Sequence, residues 1–583
     1  MTFAEAETMA MRMGPPRDRT AQAVVGLVAA VLSIASTYYY FRHHLILGYQ
    51  DSFSHLEISR RVVAGQSPGI AQLGGIWLPV PQILQDLFSW NDTLYRTGLA
   101  GSAVSMACYV ASAVLLYRLI RVYSGKRKWP AVAGAMVFAA NVNVLYQQST
   151  SMDELPFYAF TIAAVYYLVK WGETKNATNL LVAGIASTLA MLCRYEGWFM
   201  AGIYVICVFV MALRLGYSWR DSRGLALVSV VFGLLIAMGG WLLYNYMIFN
   251  NPLNFENGPE SSGAQMAERH TDINIGNWSL TLKGYGYAVV SDLGLAMIAA
   301  AAVGLIVFLA AERFSARSVP VFGLLTIVPF FLWTLEAGKE PMSMPQQSGL
   351  LNYRFGLVVA IPAAILIGYL CTRLPRAVAL PAALISILAL AALSGQSFER
   401  HQVVLATEAA QDLSAQAAQI DAGNFLVQHT AGLVLLDIVQ NERVGYDVVD
   451  RTVYVGTKEF GTNQWAAVLS RPQAYDIRVI VMRLPNPADP VDAVYFALHN
   501  SPRLRSYRLI YHSPSYLIYG LRNSARPVKT SLSVRTRGHG PPTLETRRYV
   551  PSLSRGDGHH RRAGSIGSVS RGMPRVLTVI ATR

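Results

Sequence analysis

The chain is 583 residues long, 53% hydrophobic and 14% charged, with a net charge of +15. A soluble protein carries about 25% charged residues, so this composition excludes an ordinary water-soluble globular protein. The deficit falls in apolar blocks of about 18 residues or more, the length that crosses a hydrocarbon core, and a polytopic α-helical membrane protein is expected.

After an N-terminal segment, 1–21, a membrane unit is expected over 22–395 with about eleven transmembrane helices. They fall near 22–46, 97–118, 130–147, 155–171, 178–193, 198–214, 225–249, 285–311, 319–336, 356–372 and 377–395. The first is read as a retained span, because no small-residue cleavage site follows before Asp51. Basic residues follow every even-numbered span: Arg118, Arg121, Lys126, Arg127 and Lys128, then Lys170 and Lys175, then Arg214, Arg220 and Arg223, then Arg313 and Arg317, then Arg373 and Arg376. With Arg12, Arg17 and Arg19 at the start, the positive-inside rule places the N-terminus and these loops in the cytoplasm. The other loops then face outward, and so does everything after 395.

Two outward loops are long, 48–96 and 250–283. In the first, 52–65 fits an interfacial helix, with Phe53, Leu56, Ile58, Val62 and Val63 on the bilayer and Arg60 and Arg61 at the head groups. Glu57 is expected in solvent, and "WLPVPQILQDLF" (77–88) reads as a second surface-lying segment. Trp77 and Trp90 would anchor these segments or stack on the ring of a bound ligand. Residues 396–525 change character and predict a small extracytoplasmic α/β domain: a polar helical stretch at 402–422, then β-like runs at 432–438, 478–484 and 507–521, with a hairpin around "HSPS" and an amphipathic helix in "DPVDAVYFALHN". The tail, 526–583, is basic and rich in Ser, Gly, Pro and Arg, and reads as disordered. It lacks interleaved aromatics, so no nucleic-acid partner is expected. Cys108, Cys193, Cys207 and Cys371 lie in or beside apolar spans and read as small packing residues.

The ionisable residues at span edges carry the functional signal, since charges at a membrane edge are costly and tend to mark function. Asp51 follows the first span, and its alternative reading is a solvated helix-end carboxylate. The same side brings Asp153 and Glu154, then Arg194 and Glu196, then Lys339, Glu340 and Arg354. Converging carboxylates suit a general base or a divalent cation, and converging arginines suit a phosphate. An Arg194–Glu196 ion pair holding its loop is the plainer account of those two. His55, one helical turn after Asp51, serves either interfacial hydrogen bonding or catalysis.

"GYQDSFSHLEISRRVV" followed by "PGIAQLGGIWLPVP" resembles the first outward loop of bacterial GT-C membrane glycosyltransferases, the relatives of protein mannosyltransferases and of the lipid A aminoarabinose transferase, often grouped as family-39-like. "YQQSTSMDELP" resembles their second acidic motif, usually Thr-Glu-Pro-Leu; Glu154 matches, and the proline, Pro156, is displaced by one. "CRYEGWF", "FNNPLNFENG" and "NYRFGL" resemble three further blocks, so the likeness runs in the family's order over about 49–360. It implies a GT-C fold in the plasma (inner) membrane. It also implies an enzyme that transfers sugar from a polyprenyl-phosphate-linked donor to an acceptor hydroxyl on the extracytoplasmic face, with inversion.

On that resemblance Asp51 matches the base, and Glu154 orients the acceptor or joins Asp51 at a metal; Asp153 and His55 complete the catalytic candidates. Arg354 is first choice for the donor phosphate, with Arg194 and Lys339 next. A divalent cation is the cofactor these carboxylates would suit. The expected partners are the lipid-linked donor, membrane lipids, and a protein, lipid or glycan acceptor. The rival reading is a polytopic transporter or lipid flippase, which favours internal repeats and helices broken at mid-membrane.

Overall fold

The structure, a computed structural model, describes residues 19–125, 127–258, 261–263, 275–344, 349–375, 377, 381, 403–438, 441–455, 467–486 and 491–522. Among these, seven helices are long and apolar enough to cross a membrane: Arg19–Arg42, Leu99–Tyr123, Glu196–Arg214, Trp219–Phe249, Leu295–Glu312, Val319–Glu336 and Tyr353–Arg373. Trp129–Ala139 and Ala177–Met191 are apolar but shorter, and Glu154–Thr174 forms a 21-residue helix on a further expected span. The span expected at 377–395 and the tail 526–583 lie outside the described residues, apart from 377 and 381.

Two expected spans are redrawn. The one at 130–147 is the Trp129–Ala139 helix, opened by Pro130 in its first turn, followed by Val142–Gln147, whose first amides are capped by the Asn141 side chain. The one at 285–311 divides into Trp278–Leu293 and Leu295–Glu312 at Gly294, whose φ of +80° suits glycine alone. Tyr353–Arg373 is the most enclosed span, 83% buried against 22% for Leu295–Glu312, so it forms the centre of the bundle. Glycines let its neighbours approach: a Cβ on Gly134 would stand 2.6 Å from the Ala364 carbonyl oxygen, and one on Gly368 would stand 2.8 Å from Ile120. All four cysteines are free, and three are buried.

The first long loop departs from its expected placement. A Gln50–Ala64 helix is present, but Phe53, Leu56 and Ile58 are buried in protein rather than laid on lipid. Arg60 and Arg61 are buried too, as is Glu57, which was expected in solvent. The reason is a second covering layer. The Arg443 guanidinium sits 5.4 Å from the Phe53 ring centre, and Tyr446 meets Phe53 edge-on. Arg60 grips Asp450 through Nε and Nη2 at 2.8 and 2.7 Å, pairs with Asp92, and donates from Nη1 to the carbonyls of Ser89 and Trp90. Arg60→Ala is therefore expected to cost about 1.5–3 kcal/mol, the worth of hydrogen bonds to a charged group. Thermal unfolding of the purified protein checks this, and an unchanged midpoint would contradict it. The Val80–Ser89 helix does keep a surface character: Ile83 and Leu87, with Trp90 just beyond, are exposed, while Gln82, Gln85 and Ser89 face inward.

After the spans come helices Val404–Ala415 and Ala417–His429, then a five-stranded sheet. Its strands are β1 (Leu433–Asp437), β2 (Thr452–Val455), β3 (Ile477–Arg483), β4 (Tyr507–His512) and β5 (Tyr516–Leu521), in the order β2-β1-β3-β5-β4. β1 runs parallel to β2 and β3, while β5 pairs antiparallel with β3 and β4. Three expected β-runs and the hairpin are present, and β2 is an addition. Val434, Leu436, Val479 and Val481 pack on one face of the sheet, and Leu435, Ile480 and Met482 on the other, the two-residue alternation of strands covered on both sides. The expected amphipathic helix is the short Ala493–Leu498.

Candidate active site

Four chain segments meet at one end of the bundle. Asp51 lies in the first turn of Gln50–Ala64, where the helix dipole favours a carboxylate. Asp153 and Glu154 open Glu154–Thr174 in the same way. Arg194 occupies the turn between Ala177–Met191 and Glu196–Arg214, and Arg354 the 3-10 turn that begins the central span.

Their side chains form a continuous ionic network. Arg354 Nη2 donates to Asp51 Oδ2 at 2.5 Å, and its Nε lies 3.0 Å from Glu154 Oε1, an ionic contact without hydrogen-bond alignment. Glu154 Oε1 also accepts from Arg194 Nη1 at 3.0 Å, and its Oε2 accepts from Gln147 at 2.6 Å. Arg194 Nη1 donates to Asp153 at 2.5 Å, and its Nε and Nη2 both donate to Glu196 at 2.9 and 2.7 Å. The Arg194–Glu196 pair expected to hold its loop is thus present. The network opens to solvent at Asp51, whose side chain is 31% exposed against 9% for Arg354 and 4% for Glu154.

His55 sits behind this line. Its Nδ1 is 2.7 Å from Gln82 Nε2, its Nε2 faces Asp153 at 3.9 Å, and the Trp77 ring packs 4.5 Å from it. Lys339 is not brought into the network: its exposed ammonium pairs with Glu256. The adjacent Glu340 has its carboxyl pushed up to about 8 by burial and by the nearby Glu196 charge.

Sequence reasoning missed three contributors: Gln147, Glu408 and Asp412. Glu408 and Asp412 come from the Val404–Ala415 helix. Burial raises Glu408 to about 7, and burial with nearby Asp51 raises Asp412 to about 6. Their one signal in sequence is that 408, 411 and 412 share a helix face. Among the described residues no group of three or more His, Cys, Asp or Glu is placed to hold a metal ion. Asp51 and Glu154, the metal candidates, instead both face the Arg354 guanidinium, a donor set that does not fit a divalent cation.

Below the network the bundle is apolar and creviced. One crevice is lined by Thr161, Val165, Gly197, Met200 and Pro320, and a second by Phe157, Thr161, Met200, Leu324, Val358 and Ile361. They share Thr161 and Met200. Phe157, Gly197 and Val358 lie about one helical turn beyond Glu154, Arg194 and Arg354, so this apolar lining begins directly under the charges.

Comparison with known proteins agrees with this architecture. Residues 94–242 match the family model of the dolichyl-phosphate-mannose-protein mannosyltransferases. The dolichyl-phosphate-mannose–protein mannosyltransferase 1 of Saccharomyces cerevisiae is 26% identical over 147 residues, 24% of this chain and 18% of the yeast protein, so the match spans under a fifth of that relative's length. The crystal structure of ArnT from Cupriavidus metallidurans bound to undecaprenyl phosphate superposes with a TM-score of 0.54 at 14% identity, covering 85% of this chain and 99% of ArnT. The apo ArnT structure gives 0.50 at 14% identity, covering 85% and 98%. Over most of its length the chain thus has a fold similar to that of ArnT, and within residues 94–242 its sequence is similar to the dolichyl-phosphate-mannose-protein mannosyltransferases.

Proposed function

We propose that this protein moves a sugar from a polyprenyl-phosphate donor to an acceptor hydroxyl on the extracytoplasmic face of the inner membrane, with inversion and with Asp51 as the base. The observation that carries this reading is the Asp51–Arg354 pair, at the open end of a buried ionic network and directly above an apolar crevice. A lipid-linked sugar phosphate needs those three environments in that order. Its prenyl chain takes the crevice, its phosphate takes Arg354, and its sugar stands beside Asp51. The ArnT structure with undecaprenyl phosphate and the donor in the yeast relative's name point to the same ligand class.

Arg194 is occupied by Asp153, Glu154 and Glu196, so it serves to hold the carboxylates, and the phosphate falls to Arg354. The phosphate displaces Asp51 from the guanidinium, which frees a carboxylate oxygen. The acceptor hydroxyl attacks the anomeric carbon from the face opposite the phosphate and gives its proton to Asp51. The carbon–phosphate-oxygen bond breaks, and polyprenyl phosphate leaves with the bonding electrons. Arg354 stabilises the charge that grows on that oxygen, an interaction stronger in the transition state than in the ground state.

The test is incubation of the purified protein with a panel of polyprenyl-phosphate sugars, following release of polyprenyl phosphate. Release from none of them overturns the reading. Arg354→Ala is expected to weaken donor binding by about 10- to 100-fold, the scale of a lost charge-assisted hydrogen bond. Unchanged donor affinity would take Arg354 out of the phosphate site.

A further inference from the structure

Asp51 and Arg354 are 303 residues apart in the chain, yet one side chain touches the segments that carry both. Glu408, on the Val404–Ala415 helix, is 1% exposed. Its Oε1 accepts the Asn352 amide at 2.5 Å, and its Oε2 accepts the Tyr353 amide at 3.2 Å and the Tyr49 hydroxyl at 3.3 Å. Tyr49 stands at the N-cap position of the Gln50–Ala64 helix, two residues before Asp51, and Asn352 and Tyr353 run directly into Arg354.

The local backbone calls for such a support. Asn352 has a φ of +59°, a left-handed conformation that costs a non-glycine residue about 1 kcal/mol or more. The bond from its amide to Glu408 helps hold it there. The Tyr49 ring in turn lies 5.5 Å from the Arg354 guanidinium. The same helix face makes three further contacts on either side. Gln411 accepts the Leu350 amide at 2.9 Å, Asp412 accepts a backbone hydrogen bond from Gln50, and Ala409 packs so closely on Gly48 that a Cβ there would stand 2.9 Å away.

We infer that Glu408 is a positioning residue of the sugar-transfer centre: its carboxylate ties Tyr49 to the Asn352–Tyr353 turn and so sets the relative placement of Asp51 and Arg354. A buried carboxylate is costly to maintain unless it is hydrogen-bonded. Here three donors converge on its two oxygens. The inference rests on the glycosyltransferase reading of this centre. It adds that the helix leading into the sheet is part of the centre's frame.

Glu408→Ala, Glu408→Gln and Tyr49→Phe, assayed with a polyprenyl-phosphate sugar that the wild-type protein turns over, test it. Displacing catalytic groups by about an ångström costs on the order of 10²-fold. Glu408→Ala is therefore expected to lower kcat per folded molecule by about 10- to 100-fold, with the donor KM changed by less than about threefold. Glu408→Gln, which keeps one acceptor, falls between Glu408→Ala and wild type, and Tyr49→Phe shows a smaller loss of the same kind. A merely structural glutamate would lower yield or melting temperature and leave kcat per folded molecule unchanged. Should Glu408→Ala not fold, the other two variants decide: a kcat within about twofold of wild type in both overturns the inference. Absence of turnover in the wild-type protein would count against the glycosyltransferase reading instead.

Discussion

Asp51→Asn is expected to lower sugar-transfer turnover by about 10²- to 10⁴-fold, the contribution of a positioned general base, with folding and membrane insertion unchanged. The amide has the same shape and still accepts a hydrogen bond from Arg354, but it takes no proton at neutral pH. Stability changes little for two reasons. Asp51 is the most exposed member of the network, and Arg354 keeps its ionic contact with Glu154. Donor binding gives a second readout, because losing the Asp51 charge releases Arg354 for the phosphate. The variant should bind donor at least as tightly as wild type while turning it over far more slowly. Wild-type turnover in purified Asp51→Asn protein would remove Asp51 as the base.

Arg194→Ala is expected to be the most destabilising single change at this site. Arg194 is 13% exposed and holds three carboxylates, Asp153, Glu154 and Glu196, that are 7%, 4% and 8% exposed. Removing one partner of a buried ion pair costs about 3–5 kcal/mol, because the remaining charge stays buried without compensation. Total stabilities are about 5–15 kcal/mol, so the loss should appear as a large drop in the thermal midpoint in detergent. Arg194→Lys should recover part of it, since one ammonium keeps the charge but cannot reproduce the fork that spans three acceptors. An unchanged midpoint in Arg194→Ala would mean that the carboxylates do not depend on this cation.

The membrane spans and the four edges that carry Asp51, Glu154, Arg194 and Arg354 were legible because both signals are local. An apolar block has a length, and an ionisable residue at its end stands out against it. The first-loop helix was legible as a helix, but its surroundings were not. Amphipathic spacing shows that Phe53, Leu56 and Ile58 share an environment without showing whether lipid or protein supplies it. Here protein does, through Tyr446 and Arg443. Arg60 followed the same logic and found Asp450, 390 residues away, in place of a head group. Lys339 and Glu340 show the limit at its narrowest. They are adjacent in sequence, but the first pairs with Glu256 away from the site while the second feels the charge of Glu196 within it.

By itself the sequence determined that this is a polytopic membrane protein, which residues stand at the ends of its spans, and the order of the blocks that resemble GT-C enzymes. Only the tertiary structure decided which charges meet: Arg354 with Asp51 and Glu154, Arg194 with three carboxylates, and Glu408 with the turn before Arg354. The physical reason is range. Hydrophobic length and helical periodicity are fixed by residues within a few turns of one another, whereas the partner of a buried charge is chosen by the packing of helices hundreds of residues apart.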